Sequence, residues 1–207
     1  RCKLPEIFLE YKLKDKKKVT KELFSYSWPI LFSGMVLYLF YWIDSFVIGY
    51  FHEAYDVGIY NVVLNIALLL SIAPELFISL FFPLITKEYS KKNFALITEI
   101  SKQIGKWIFI LNLPTFIIIF LFPGAIINIL FGHEYLIAID SLRLLAIGSF
   151  AFSISLISQN LLSMIGKSRI ILINLIFAAF LNTVLNIILV PKFGINGAAI
   201  STTIVYI

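Results

Sequence analysis

Charge is what this sequence has least of. Only 14% of its 207 residues are Asp, Glu, Lys or Arg, against about 25% in an ordinary soluble domain. Hydrophobic residues make up 60%, and the mean hydropathy is +0.94. A soluble chain of this length has no core large enough to hide so much apolar surface. That excludes disorder, a secreted disulfide scaffold and a typical cytosolic enzyme, and it leaves an all-α polytopic membrane protein. Cysteine is nearly absent. The single Cys2 excludes a disulfide framework and a Cys-based metal site. The motifs of chemistry are missing too: there is no P-loop and no G-x-G-x-x-G. Of the two histidines, His133 with Glu134 begins an H-E-x-x-H pattern, but Ile137 stands where the second His belongs, so no zincin site forms. No apolar run pairs Ser or Cys with His, which excludes an intramembrane protease of that type. The chain reads as a non-enzyme without a bound cofactor. The net charge of +5 is confined to connections between apolar runs, which argues against nucleic-acid binding.

What is there in quantity is apolar runs. A bilayer-crossing helix needs about 20 mostly apolar residues. Such runs are expected at about 24–51, 57–85, 104–122, 135–165 and 170–190, with a sixth from about 195 that stops at Ile207. Pro74 and Pro83 interrupt the second run, Pro114 lies inside the third, and Pro191 is expected to end the fifth. The stretch Ala125 to Phe131 is apolar but too short to cross, and is expected to lie partly buried at the outer interface. The chain opens at Arg1 and ends inside an apolar run, so it reads as a piece of a longer protein. The first apolar run comes after a long charged segment, unlike a secretory signal.

Orientation is set by where Lys and Arg fall. The segment up to Lys21 holds eight, Lys87 to Lys106 holds five, and Lys167 with Arg169 make two, fifteen in all on one side. Only Arg143 and Lys192 fall on the other. That alternation predicts a cytoplasmic N-terminal segment and supports the span count.

Polar residues inside the spans are the candidate functional groups. A carboxylate at the centre of a membrane helix costs about 2.5–3.5 kcal/mol on insertion scales. Asp44 sits about two turns from the outer end of the first span. It either reaches the headgroup region or a packed polar contact, or it faces an interior cavity. Glu75 lies deeper, in the second span. Asn61, Asn65, Leu68, Ile72, Glu75 and Ser79 share one face at helical spacing. That stripe serves helix–helix hydrogen bonding or lines a hydrated passage. Arg143 and Asp140 are neighbours three residues apart. They form an interfacial ion pair, or Arg143 turns into a vestibule where its guanidinium meets a phosphate. Gln159 and several serines in the fourth span, with Asn182 and Asn186 in the fifth, point to spans that face protein or a polar cavity. Without nucleotide-binding machinery, any transport would draw on an ion gradient, the membrane potential or the substrate gradient.

Four stretches resemble a known family: Trp42-Ile43-Asp44-Ser45 through Asp56-Val57-Gly58-Ile59-Tyr60-Asn61; Pro83-Leu84-Ile85 leading to Tyr89; Leu130-Phe131-Gly132 with Glu134-Tyr135; and Leu181-Asn182, Leu185-Asn186, Val190-Pro191, Gly194-Ile195 and Gly197 to Thr202. In order and spacing they resemble the C-terminal half of polysaccharide flippases of the multidrug/oligosaccharidyl-lipid/polysaccharide exporter superfamily. The resemblance implies two six-helix lobes around a central cavity. Residues 1–22 would be the basic cytoplasmic inter-lobe linker and 23–207 the C-terminal lobe, with its last helix cut short. The N-terminal lobe would be the missing partner. The cargo implied is a lipid-linked oligosaccharide, moved from the inner to the outer leaflet of the plasma membrane by alternating access. The residues expected along its path are Arg143, Asp44, Glu75, Asn61, Asn65, Gln159, Asn182 and Asn186, with Na⁺ or H⁺ as a coupling ion. The alternative within the superfamily is a cation-coupled drug exporter, where Asp44 or Glu75 would bind the ion.

Overall fold

The computed structural model describes residues 16–164 and 167–207. Most of the expected basic linker, with Cys2, therefore lies outside the described residues. Among those described, all regular structure is helical. Long apolar runs leave little choice, because in hydrocarbon each backbone N–H and C=O must find its partner within its own segment.

Helix α1 covers Lys16–Phe51. α2 (Ala54–Leu68) and α3 (Ile72–Ser90) are joined by a 3₁₀ turn at Leu69–Ser71. α4 covers Phe94–Leu121 and α5 Pro123–Leu130. A second 3₁₀ segment, His133–Ala138, leads into α6 (Ile139–Met164), then α7 (Ser168–Phe193) and α8 (Ile195–Tyr206). Five stretches are long and apolar enough to cross a membrane: Ser27–Phe51, Ala54–Ser90, Phe94–Leu121, His133–Ser163 and Ser168–Phe193. They match the first five expected spans. α8 occupies the place of the sixth, with 12 residues, or about 18 Å of rise.

Local chemistry explains where the boundaries moved. α4 starts ten residues before its expected span, because the Asn93 side chain accepts from the Leu96 N–H at 3.3 Å and caps it. Such a cap satisfies one of the orphan donors of a first turn. In the turn before it, Glu88 takes Lys91 at 2.6 Å and the Asn93 amide at 3.3 Å. Pro191 was expected to end the fifth span, but α7 continues through it to Phe193. A proline this close to a C-terminus deletes one hydrogen bond and leaves the last turn standing. The stop is Gly194, whose φ of +57° favours glycine. α5 is the short apolar segment expected near an interface, with Ile127 fully buried.

α1 lies along α7, α7 along α8, α8 along α6, and α6 against both α4 and α2. The main core gathers Ile48, Tyr60, Val63, Leu142, Leu145 and Val190. A second, smaller cluster of Ile85, Ile104 and Ile108 binds α3 to α4 nearer the lysine-rich end. α6 and α8 approach backbone to backbone: a Cβ on Gly148 would lie 2.8 Å from Thr203 Cα. Small residues allow such contact where apolar side chains gain nothing over lipid.

Candidate functional site

Asp44 lies on the buried stripe of α1, four residues from Phe40 and four from Ile48. The same spacing sets Asn182, Asn186 and Val190 on α7, and Ala198, Thr202 and Tyr206 on α8. Residues four apart stack on one helix face. Each helix thus delivers a polar side chain into a layer whose other members are apolar. α2 adds Tyr60, which is fully buried.

These side chains form one hydrogen-bonded node. The Tyr60 and Thr202 hydroxyls both donate to Asp44 Oδ2, each at 2.5 Å. Asn186 Nδ2 donates to Asp44 Oδ1 at 2.7 Å, with Asn182 O and Oδ1 at 3.0 Å. Asn182 Nδ2 donates to Thr202 Oγ1 at 3.1 Å. Asp44 itself is only 4% exposed. Among the described residues its partners are uncharged: the ion pairs are His52–Asp56, Glu88–Lys91 and Asp140–Arg143. Beside it, Asn186 Oδ1 is buried with no hydrogen-bond partner. Buried acceptors without partners are rare in native structures. The node thus gathers one carboxylate, two carboxamides and two hydroxyls in a buried, packed setting.

Of the residues expected from the sequence, Asp44, Asn182 and Asn186 are brought together here. Asn61 lies at the edge of the node, accepting from Ser45 Oγ at 3.2 Å and donating to Val57 O at 3.0 Å. Asn65 and Glu75 stand apart, exposed on the surface of the chain. A 3₁₀ turn at Leu69–Ser71 lies between Asn65 and Glu75 along that stripe. Leu68 is half-buried, while Ile72, Glu75 and Ser79 are exposed. Gln159 is exposed and donates to Ser155 Oγ at 3.3 Å. Arg143 lies on the surface, with Nη1 3.4 Å from Asp140 Oδ1 and Nε donating to Phe120 O at 3.4 Å. Tyr60 and Thr202 were not among the expected site residues. The register they share with buried neighbours shows only in the fold.

Known proteins resemble this chain in sequence. A family model described as polysaccharide biosynthesis protein matches residues 6–89. An uncharacterized membrane protein of Methanocaldococcus jannaschii is 29% identical over 200 residues, 96% of this chain and 39% of its own. A probable low-salt glycan biosynthesis flippase, Agl15 of Haloferax volcanii, is 28% identical over 92% of this chain and 40% of its own. A putative O-antigen transporter of Shigella flexneri is 29% identical over 90% of this chain and 44% of its own. The chain is thus similar, over part of its length, to a polysaccharide biosynthesis family model and, over nearly all of it, to proteins named as a glycan flippase and an O-antigen transporter. No solved structure is a significant match. The chain spans about two fifths of the length of the curated relatives it matches. The family match takes in Asp44, Tyr60 and Glu75, and the pairwise similarities extend over nearly all of the rest.

Proposed function

We propose that the complete protein is a flippase. It moves a lipid-linked saccharide from the inner to the outer leaflet of the cell membrane by alternating access. This chain is its C-terminal lobe, facing an N-terminal lobe across a central cavity. The observation that carries the reading is the similarity over nearly the whole chain to proteins named as a glycan flippase and an O-antigen transporter. Those names support a glycan cargo over an organic cation, and transport without a catalytic step. The lysine-rich end faces the cytoplasm in this reading, in line with the positive-inside preference.

The node at Asp44 supports a coupling role. A charged carboxylate in a membrane interior calls for a compensating positive charge. The side chains around Asp44 supply donors but no cation. A proton or Na⁺ fills that need, and its arrival or departure would change how α1, α2, α7 and α8 are held together. The test uses the full-length protein in proteoliposomes carrying a lipid-linked oligosaccharide with a labelled sugar, its exposure followed with an external glycosidase. We expect protein-dependent exposure that a pH or Na⁺ gradient accelerates in the wild type but not in Asp44→Asn. No exposure with polyprenyl- and dolichyl-linked cargoes alike would overturn the flippase reading. An unchanged gradient response in Asp44→Asn would remove Asp44 from coupling.

A further inference from the structure

The second span holds a feature that neither cargo nor coupling ion accounts for. Ala54–Ser90 is 37 residues long, about 55 Å if it were one straight helix. It is broken at Leu69–Ser71, and the break has a definite backbone cause. In an α-helix the Leu70 carbonyl would take the N–H of residue 74, and Pro74 has none. The missing donor comes from another helix: Asn112 Nδ2 on α4 donates to Leu70 O at 2.8 Å. Asn112 is 2% exposed and Leu70 fully buried. Beside them Ser71 Oγ is buried without a partner. The two halves that meet there have different anchors. α2 is tied into the main core and to Asp44 through Tyr60. α3 packs chiefly on α4 through the separate small cluster around Ile85, Ile104 and Ile108, though both halves also touch α6. Glu75 stands on α3 directly after the break, exposed.

We propose that Asn112 is a positioning residue: it holds open a joint between α2 and α3, and so sets where α3 carries Glu75 relative to the Asp44 node as the transporter changes state. The transport part of this inference rests on the flippase reading. The geometry of the joint does not. A bilayer-embedded carbonyl stripped of its partner needs a substitute, and a side-chain substitute from a neighbouring helix is separable where a backbone bond within the helix is not.

The experiment uses the full-length protein with spin labels at Tyr55→Cys on α2 and Thr86→Cys on α3, in a background without other reactive cysteines. Pulsed EPR distances, melting temperature and flipping rate are read together. Asn112→Leu should broaden the 55–86 distance distribution, lower the melting temperature and slow flipping at least tenfold. Adding Pro74→Ala restores an N–H aimed at Leu70. The double variant should regain the melting temperature, show a longer and narrower distance from a straightened span, and still flip slowly. Pro74→Ala alone should show the same longer distance and slow flipping, and it serves if Asn112→Leu fails to fold. Recovery of flipping together with melting temperature in the double variant would overturn the proposal, leaving Asn112 as a carbonyl partner only. So would an unchanged distance in both single variants. Wild-type protein that flips no cargo defeats the flippase reading, while the distance and melting arms still decide the joint.

Discussion

Asp44 and Glu75 both lie inside apolar spans, yet the fold gives them opposite surroundings. Asp44 meets Tyr60, Asn186 and Thr202 where α1, α2, α7 and α8 converge, and is almost fully buried. Glu75 sits below the break in the second span, on the surface of the chain. Depth along a span therefore says little about burial. What matters is whether neighbouring helices carry donors in the same register. One carboxylate has become part of the packing, and the other has been left available to whatever lies against that face. The two should then fail differently when altered.

The largest effect on stability is expected at the node. Asp44→Ala strips the Tyr60 and Thr202 hydroxyls of their acceptor and removes one of the three acceptors of Asn186 Nδ2. Interhelical hydrogen bonds in membranes average about 0.6 kcal/mol and reach about 1.7 kcal/mol, and a buried donor left unpaired costs about 1–3 kcal/mol. A loss of about 2–4 kcal/mol is expected, read as unfolding of the full-length protein in detergent. Asp44→Asn keeps the shape and should lose about 1 kcal/mol. Equal losses for the two would mean that the charge, not the hydrogen bonding, supports the fold.

Next comes the wall that holds Thr202 in place. Gly148→Ala puts a methyl group 2.8 Å from Thr203 Cα, a backbone neighbour that cannot rotate away. Overpacking of this kind costs about 1–3 kcal/mol. The same change at Gly34, where a Cβ meets nothing within 4 Å, should be neutral or mildly stabilising. Matching melting temperatures for these two alanine variants would show that the close approach of α6 and α8 contributes nothing. Glu75→Gln should shift stability by less than about 0.5 kcal/mol, in keeping with an exposed side chain that changes no packing. If it destabilises as much as Asp44→Ala, the contrast drawn between the two carboxylates fails.

Much of the architecture was legible in the sequence. Span length is a direct consequence of bilayer thickness, so the five long apolar stretches and their order could be read off. Three of the node's five members could be read as well: Asp44, Asn182 and Asn186 are polar groups in lipid-length helices, where such groups need partners. Tyr60 and Thr202 could not, because single hydroxyls in a membrane helix usually serve their own backbone, as Thr183 does here with Ala179 O at 2.8 Å. The polar stripe through Asn65 and Glu75 assumed one unbroken helix. Pro74 announced a break, but not that a 3₁₀ turn would precede it at Leu69–Ser71. Nor could any local pattern show that Asn112, some forty residues away, would supply the Leu70 carbonyl with its donor.

The smallest effect is expected at Arg143, and it is informative because the sequence left two roles open. Its contacts to Asp140 and Phe120 O are both 3.4 Å long, and the two charged side chains are 45% and 72% exposed. An exposed pair three residues apart contributes a few tenths of a kcal/mol at most. Arg143→Gln should therefore leave the melting temperature within error of the wild type. Flipping carries the other half of the test. If Arg143 is only an interfacial ion pair, both Arg143→Gln and Arg143→Lys flip at the wild-type rate. If instead it meets a phosphate of the cargo, Arg143→Lys retains more activity than Arg143→Gln, because lysine keeps the charge but loses the bidentate fork. A graded loss in that order, at unchanged stability, would put the open surface of the chain, and not only its buried node, on the path of the cargo.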